Sequence, residues 1–203
     1  LGKIEQRDSY LANAAAIDAE DSALIVTRLQ LFIDAQEFDL AKNWLVEQKD
    51  TVLKAPQIMA LAAKIYQQTS QWLLLLPLIQ PLVKHKQVTP EQGQQLELIT
   101  HCGLLSDSAL ESVESLISNY NNLSRKQRNN IDIFTHYAKL IIKQHQFDLV
   151  DNEIFKRLRK KFSTPLVELV AMAPEQSAAQ CSEKLISLEK NNSQHSEIAQ
   201  VIA

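Results

Sequence analysis

A short recurring string limits what this chain can fold into more than any other feature. Gln36-Glu37-Phe38-Asp39-Leu40-Ala41 returns as His145-Gln146-Phe147-Asp148-Leu149-Val150, and a looser copy, Ser70-Gln71-Trp72-Leu73-Leu74-Leu75, lies between them. Each copy places an aromatic three residues before a small or apolar one. The step from Phe38 to Trp72 is 34 residues. A second such step reaches Ser106, with Ala109 three places on, and Phe147 lies seven residues beyond a third. The polar stretch 119–130 has room for that insertion. A period of this length calls for stacked units that bury their apolar faces only against their neighbours. The small residue lets two helices approach, and the aromatic fills the wedge at their turn.

The spacing of apolar residues within each copy is helical, and 34 residues is the length of a tetratricopeptide unit, a pair of antiparallel helices. Glycine occurs three times in 203 residues, which argues against tight strand hairpins and phosphate loops. The expected fold is all-α, a right-handed α-α superhelix of tetratricopeptide-like helical hairpins forming one domain over 1–203. Within it we expect a partial repeat over about 1–20, and repeats over 21–54, 55–88, 89–122 and 124–161. A degenerate, truncated repeat follows over 165–203.

Helices are expected over 21–34 and 38–48, with Leu24, Ile25, Leu29 and Phe32 facing Ala41, Trp44 and Leu45. Pro56 opens a helix to residue 68 at its first turn, where a missing N–H is harmless. Its partner, 71–86, carries Pro77 and Pro81 and is expected to kink or break. Thr89-Pro90-Glu91-Gln92 reads as a helix start. The third pair would be 90–104 and 107–120. The fourth would run 124–144 and 149–160. Pro165 and Pro174 bracket a short connection before a helix over 175–188, and a last start lies near Ser193.

The chemistry-bearing residues form no strong pattern. The longest apolar run, residues 72–79, is eight residues, and a spanning helix needs about 20. Nothing within the 203 residues is expected to cross a bilayer, and Leu1 reads as a fragment boundary. Cys102 and Cys181 are 79 positions apart and are expected to be free thiols. No histidine pair has metal-ligand spacing, and His101 and Cys102, as sequence neighbours, point along different helix faces. No catalytic, cofactor or metal residue is assigned. The formal net charge of −3 gives no steering towards nucleic acid. The strongest charge feature is Lys156-Arg157-Leu158-Arg159-Lys160-Lys161, with Arg125, Lys126 and Arg128 one helix earlier. It reads first as a solvated face, then as a site for anionic headgroups or an acidic partner.

Stacked hairpins leave a concave face lined by the first helix of each repeat. The candidate protein-binding residues there are Gln30, Asp34, Lys64, Gln67, Gln68, Gln94, His101, Lys139 and Lys143. Their amides and long cations can hydrogen-bond a peptide backbone or a partner helix.

Four strings point to a family: Arg28-Leu29-Gln30-Leu31, Ala55-Pro56-Gln57, Ile65-Tyr66 followed by Trp72, and Pro174-Glu175-Gln176. They resemble HemY, the tetratricopeptide protein of the proteobacterial haem-synthesis operon, and the likeness runs over most of the chain. The resemblance implies a domain on the cytoplasmic side of the bacterial inner membrane, tethered by an N-terminal anchor outside these residues. It implies a non-catalytic scaffold that organises or regulates late haem-synthesis enzymes. The alternative it brings is a porphyrin or haem carrier using His101, Cys102 or an apolar patch around Trp72. Homodimerisation through an unfinished end is a further expectation, as a product of truncation. The chain departs from an ideal repeat where Leu29 stands at a small-residue site, Ser106 at the aromatic's, and Leu75 and Val150 at alanine's. Ala63 and Ala138 keep the rule.

Overall fold

The structure, a computed structural model, describes residues 21–48 and 52–191. They fold into helices joined by turns, with no strand among the described residues. The partial repeat expected over 1–20 and the helix start near 193 lie outside them. The chain divides into two compact units, Leu1–Leu104 and Leu105–Ala203.

In the first unit, α1 (Ser22–Asp34) begins at an Asp21 side chain that accepts from Ala23 N, a standard N-cap. Ile25, Leu29 and Ile33 recur every fourth residue on its buried face. After α2 (Phe38–Val46) and a 3-10 turn, Val52–Lys54, comes α3 (Pro56–Gln68), with Pro56 in its first turn. α3 packs on α1, on α2 and on α4 (Trp72–Lys84). Three neighbours account for its wide apolar surface, where Ile58, Met59, Ala62, Ala63, Ile65 and Tyr66 are all buried. What remains exposed on α3 is a narrow stripe of Gln57, Lys64 and Gln68.

The recurring string is a recurring turn. Gln36, Ser70 and His145 have φ of 58°, 55° and 61°, the left-handed region that usually selects glycine. In each case the next amide reaches back five residues: Glu37 N to Phe32 O at 2.9 Å, Gln71 N to Tyr66 O at 2.7 Å, and Gln146 N to Ile141 O at 3.2 Å. That closure satisfies carbonyls the helix end would otherwise leave open. The aromatic then starts the next element, and the residue three places on is fully packed: Ala41 and Leu75 are 0% exposed and Val150 is 1%.

Glycine is used elsewhere. A Cβ on Gly103 would lie 2.3 Å from the Trp72 indole, and one on Gly93 would lie 2.4 Å from a Val83 methyl. Both sit in α5 (Pro90–Glu111) where it meets α4, so two of three glycines serve close approach rather than turns. Pro77 and Pro81 do not break α4, which runs through both. Each proline costs a helix interior about 3 kcal/mol, and burial of Leu75, Ile79 and Leu82 offsets this at roughly 1.5–3 kcal/mol each. The carbonyls left without a donor, those of Leu73 and Pro77, belong to exposed residues that water can reach.

The second unit is assembled differently. α6 (Val113–Asn122) is capped by Ser112, and α7 (Arg125–Asn129) by a reciprocal Ser124–Gln127 capping box. α8 (Ile131–Lys143) is capped by Asn130, whose side chain accepts from Asp132 N and Ile133 N. A 3-10 turn, Phe147–Leu149, leads to α9 (Asp151–Lys160), α10 (Thr164–Ala171) and α11 (Glu175–Asn191). α8 packs on α6, α7 and α10, and α9 on α10 and α11. Arg157 joins three elements: its NH2 donates to Arg128 O at 2.9 Å, its Nε to Glu153 Oε1 at 3.0 Å, and its guanidinium lies 3.9 Å from the Phe134 ring centroid. Tyr120 donates to the same Arg128 carbonyl and stacks on Tyr137 with centroids 3.9 Å apart. The polar insertion is therefore a folded element, held at its carbonyl end by a tyrosine and an arginine.

Three expectations need correction. No hairpin turn divides 90–104 from 107–120, because α5 runs unbroken to Glu111. Leu105 and Ser108, both buried, continue the helical spacing past Ser106, and the break comes at Ser112, where a serine can cap. The helix expected over 124–144 is interrupted at Asn130, whose side chain competes for the backbone amides. The connection between Pro165 and Pro174 contains α10, which buries Leu166, Val167, Leu169 and Val170.

Candidate functional site

The nine candidate binding residues divide between the units. On α1, Gln30 and Asp34 are exposed and bonded to each other, Nε2 to Oδ1 at 2.8 Å. Lys64 and Gln68 occupy the open stripe of α3, with Gln67 half-buried beside them, and Gln94 is exposed on α5. Because α1 packs on α3, the polar residues of these two helices belong to neighbouring elements of one unit. On α8, Lys143 is exposed, while Lys139 is half-buried and sits 4.0 Å from Glu168 of α10. Both lysines have flexible stems, so their ammonium groups can reach an acceptor on a partner.

His101 is placed differently from the rest. It is 5% exposed and cannot contribute a wet surface. Burial pushes its imidazole below the ordinary histidine value, against the pull of Glu97, whose Oε1 lies 3.7 Å from Nε2. Cys102 is half-buried next to it, Cys181 is buried, and neither is in a disulfide. The indole of Trp72 is covered by Gly103. The residues offered for a tetrapyrrole are thus occupied with packing in this conformation.

Sequence reasoning missed the polar ties of the second unit. Ser106 Oγ and His136 Nε2 are 2.8 Å apart, Asn119 Nδ2 donates to Ser108 Oγ at 2.6 Å, and Gln144 Nε2 donates to Ala109 O at 2.8 Å. Ser106 stands where the repeat expects an aromatic, so that departure was the available signal. His136 and His145 have separate fates: the first bonds to Ser106, and the second is the left-handed residue of a turn. Among the described residues, no group of three or more histidine, cysteine or carboxylate side chains could hold a metal ion. No described helix is long and apolar enough to cross a membrane.

No protein-family model, curated protein or solved structure matches the chain.

Proposed function

We propose that this chain is a non-catalytic scaffold of tetratricopeptide-like hairpins, winding in a right-handed α-α superhelix, whose polar helix surfaces bind other proteins. The observation that carries the reading is the shared turn at Gln36, Ser70 and His145. One string makes one left-handed reversal with one aromatic behind it, and Gln36 and Ser70 are 34 residues apart. The first unit adds packing of the kind that repeating hairpins use, the first helix α1 resting on the next, α3, with α2 against α3 as well. The exposed side chains of α1 and α3 include amides, a carboxylate and an ammonium, a set suited to gripping a backbone or a polar helix face. Late haem-synthesis enzymes are the partners that the resemblance to HemY nominates. Attachment to the inner membrane, through a segment outside these residues, belongs to the same reading.

The test uses the purified chain immobilised on a sensor and the late haem-synthesis enzymes in solution. Lys64→Glu with Gln68→Glu alters the first unit's stripe, and Lys143→Glu alters α8. Loss of about tenfold in affinity in one of these variants is expected if the altered surface is the one used, because hot spots concentrate binding energy. Wild-type chain that binds none of these enzymes removes the partner assignment. Binding that is equal in wild type and both variants removes the surface assignment.

A further inference from the structure

The sequence's basic run is built into a cleft. A half-open cavity of about 520 Å³ in the second unit is walled by the end of α9, the segment after it, and the starts of α8 and α10. Three cations line it, Arg157, Lys160 and Lys161, against one carboxylate, Glu153. That carboxylate is already engaged by Lys156 Nζ and Arg157 Nε, each at 3.0 Å. Burial raises its carboxyl, but the Lys156 hydrogen bond and the charges of Arg157 and Lys156 outweigh this and hold it ionised. Arg157 is fixed in the wall by Phe134 and the Arg128 carbonyl. Lys160 and Lys161 are exposed, and neither has a carboxylate within ion-pair reach among the described residues. The Ser163 side chain, at the N-cap of α10, makes no capping hydrogen bond and also lines the cleft. The remaining wall is Asn129, at the end of α7, and three apolar side chains, Ile131, Phe162 and Leu166.

A surface that only repels like partners or solubilises a helix does not need a concavity, and a plain anion site does not need three hydrocarbon side chains. The two together describe a ligand with two ends. The volume falls in the range of about 300–1,000 Å³ found for small-molecule sites. We propose that this cleft binds a small anionic amphiphile, its carboxylate or phosphate head held by Lys160, Lys161 and Ser163 and its apolar body laid against Ile131, Phe162 and Leu166. The proposal is independent of the protein-binding surfaces and survives their failure.

The experiment titrates decanoate and decyl phosphate, below their micelle concentrations, into the purified full chain by isothermal calorimetry. Inorganic phosphate, decanol and phosphatidylglycerol vesicles are the comparison probes. Saturable binding of one decanoate or decyl phosphate per chain is expected, weakened by added salt. Lys160→Gln with Lys161→Gln should weaken it by about tenfold or more, since each charge-assisted bond lost contributes on that scale. Phe162→Ser should weaken it as well, and helical content followed by circular dichroism checks that each variant is folded. Decanol binding as tightly as decanoate overturns the role of the cations. Inorganic phosphate binding as tightly overturns the role of the apolar wall. Vesicles bound with no uptake of monomeric amphiphile would make the patch a membrane-surface contact and overturn the cleft. Affinity unchanged in both variants overturns it too.

Discussion

The two units solve the same packing problem with different means. The first is held by shape: small residues at Ala41, Ala62, Ala63, Gly93 and Gly103 let helices close up, and bulky ones fill the seams. Its cation contacts, Arg28 over Trp44 at 5.1 Å and over Phe32 at 6.0 Å, lie at the edge of that seam, where all three residues are half-buried. The second holds its helices with directed polar bonds as well, through Ser106–His136, Asn119–Ser108, Gln144–Ala109 and the Arg157 junction. The lesson concerns regularity. Where the 34-residue spacing is kept, a closely packed apolar seam joins the helices. Past Ser106, where it is lost, side-chain hydrogen bonds between helices are added to the packing.

This contrast can be broken from either side. The largest effect is expected from Gly103→Val, which drives methyl groups into the Trp72 ring and should cost the first unit about 3 kcal/mol, read as an earlier transition in urea unfolding. Arg157→Met keeps the hydrocarbon but removes two hydrogen bonds and the contact with Phe134. It should cost the second unit about 2 kcal/mol and increase proteolysis near α7. Asn119→Ala, removing one tie to a buried serine, should cost about 1 kcal/mol in the same assay. Ser70→Gly should stabilise the first unit by roughly 0.5–1 kcal/mol, because it relieves a left-handed serine. If that variant is less stable than wild type, the shared turn is not under the strain its φ implies.

The smallest effect is on pH dependence. His101 has its folded value depressed, so the neutral imidazole favours the folded state. Its contribution is complete above the ordinary histidine value and is lost as pH falls through the folded one. Mild acid should therefore lower the melting temperature of wild type more than that of His101→Leu. An equal slope in both would show that the ring is not desolvated as placed.

Helix positions were legible in the first unit because period, caps and buried stripes agree there. Phe38, Pro56 and Trp72 each mark a start that the structure keeps. The Thr89–Gln92 signal is also real, each residue bonding the other's backbone amide. The missing hairpin at Ser106 was not legible, since counting by 34 carries a position forward without asking whether the chain can turn there. Neither was the path through Pro77 and Pro81, because a proline's local cost says nothing of the burial that offsets it. Of the candidate surface, the exposed amides and lysines were readable from helical phase. The burial of His101 was not, as a polar residue on a helix gives no sign of what covers it. The cleft was half visible: the basic run was plain, and the apolar wall opposite it comes from residues 131 and 166, which only the fold brings close.

The two prolines of α4 have an effect on the order of assembly. A segment lacking two of its own amide donors gains little by coiling in isolation, since nucleation is already unfavourable. It becomes a helix when the face of α3 is there to receive Leu75, Ile79 and Leu82. Its solvent-side backbone should accordingly exchange hydrogen for deuterium sooner than that of α3, making this the seam along which the first unit opens.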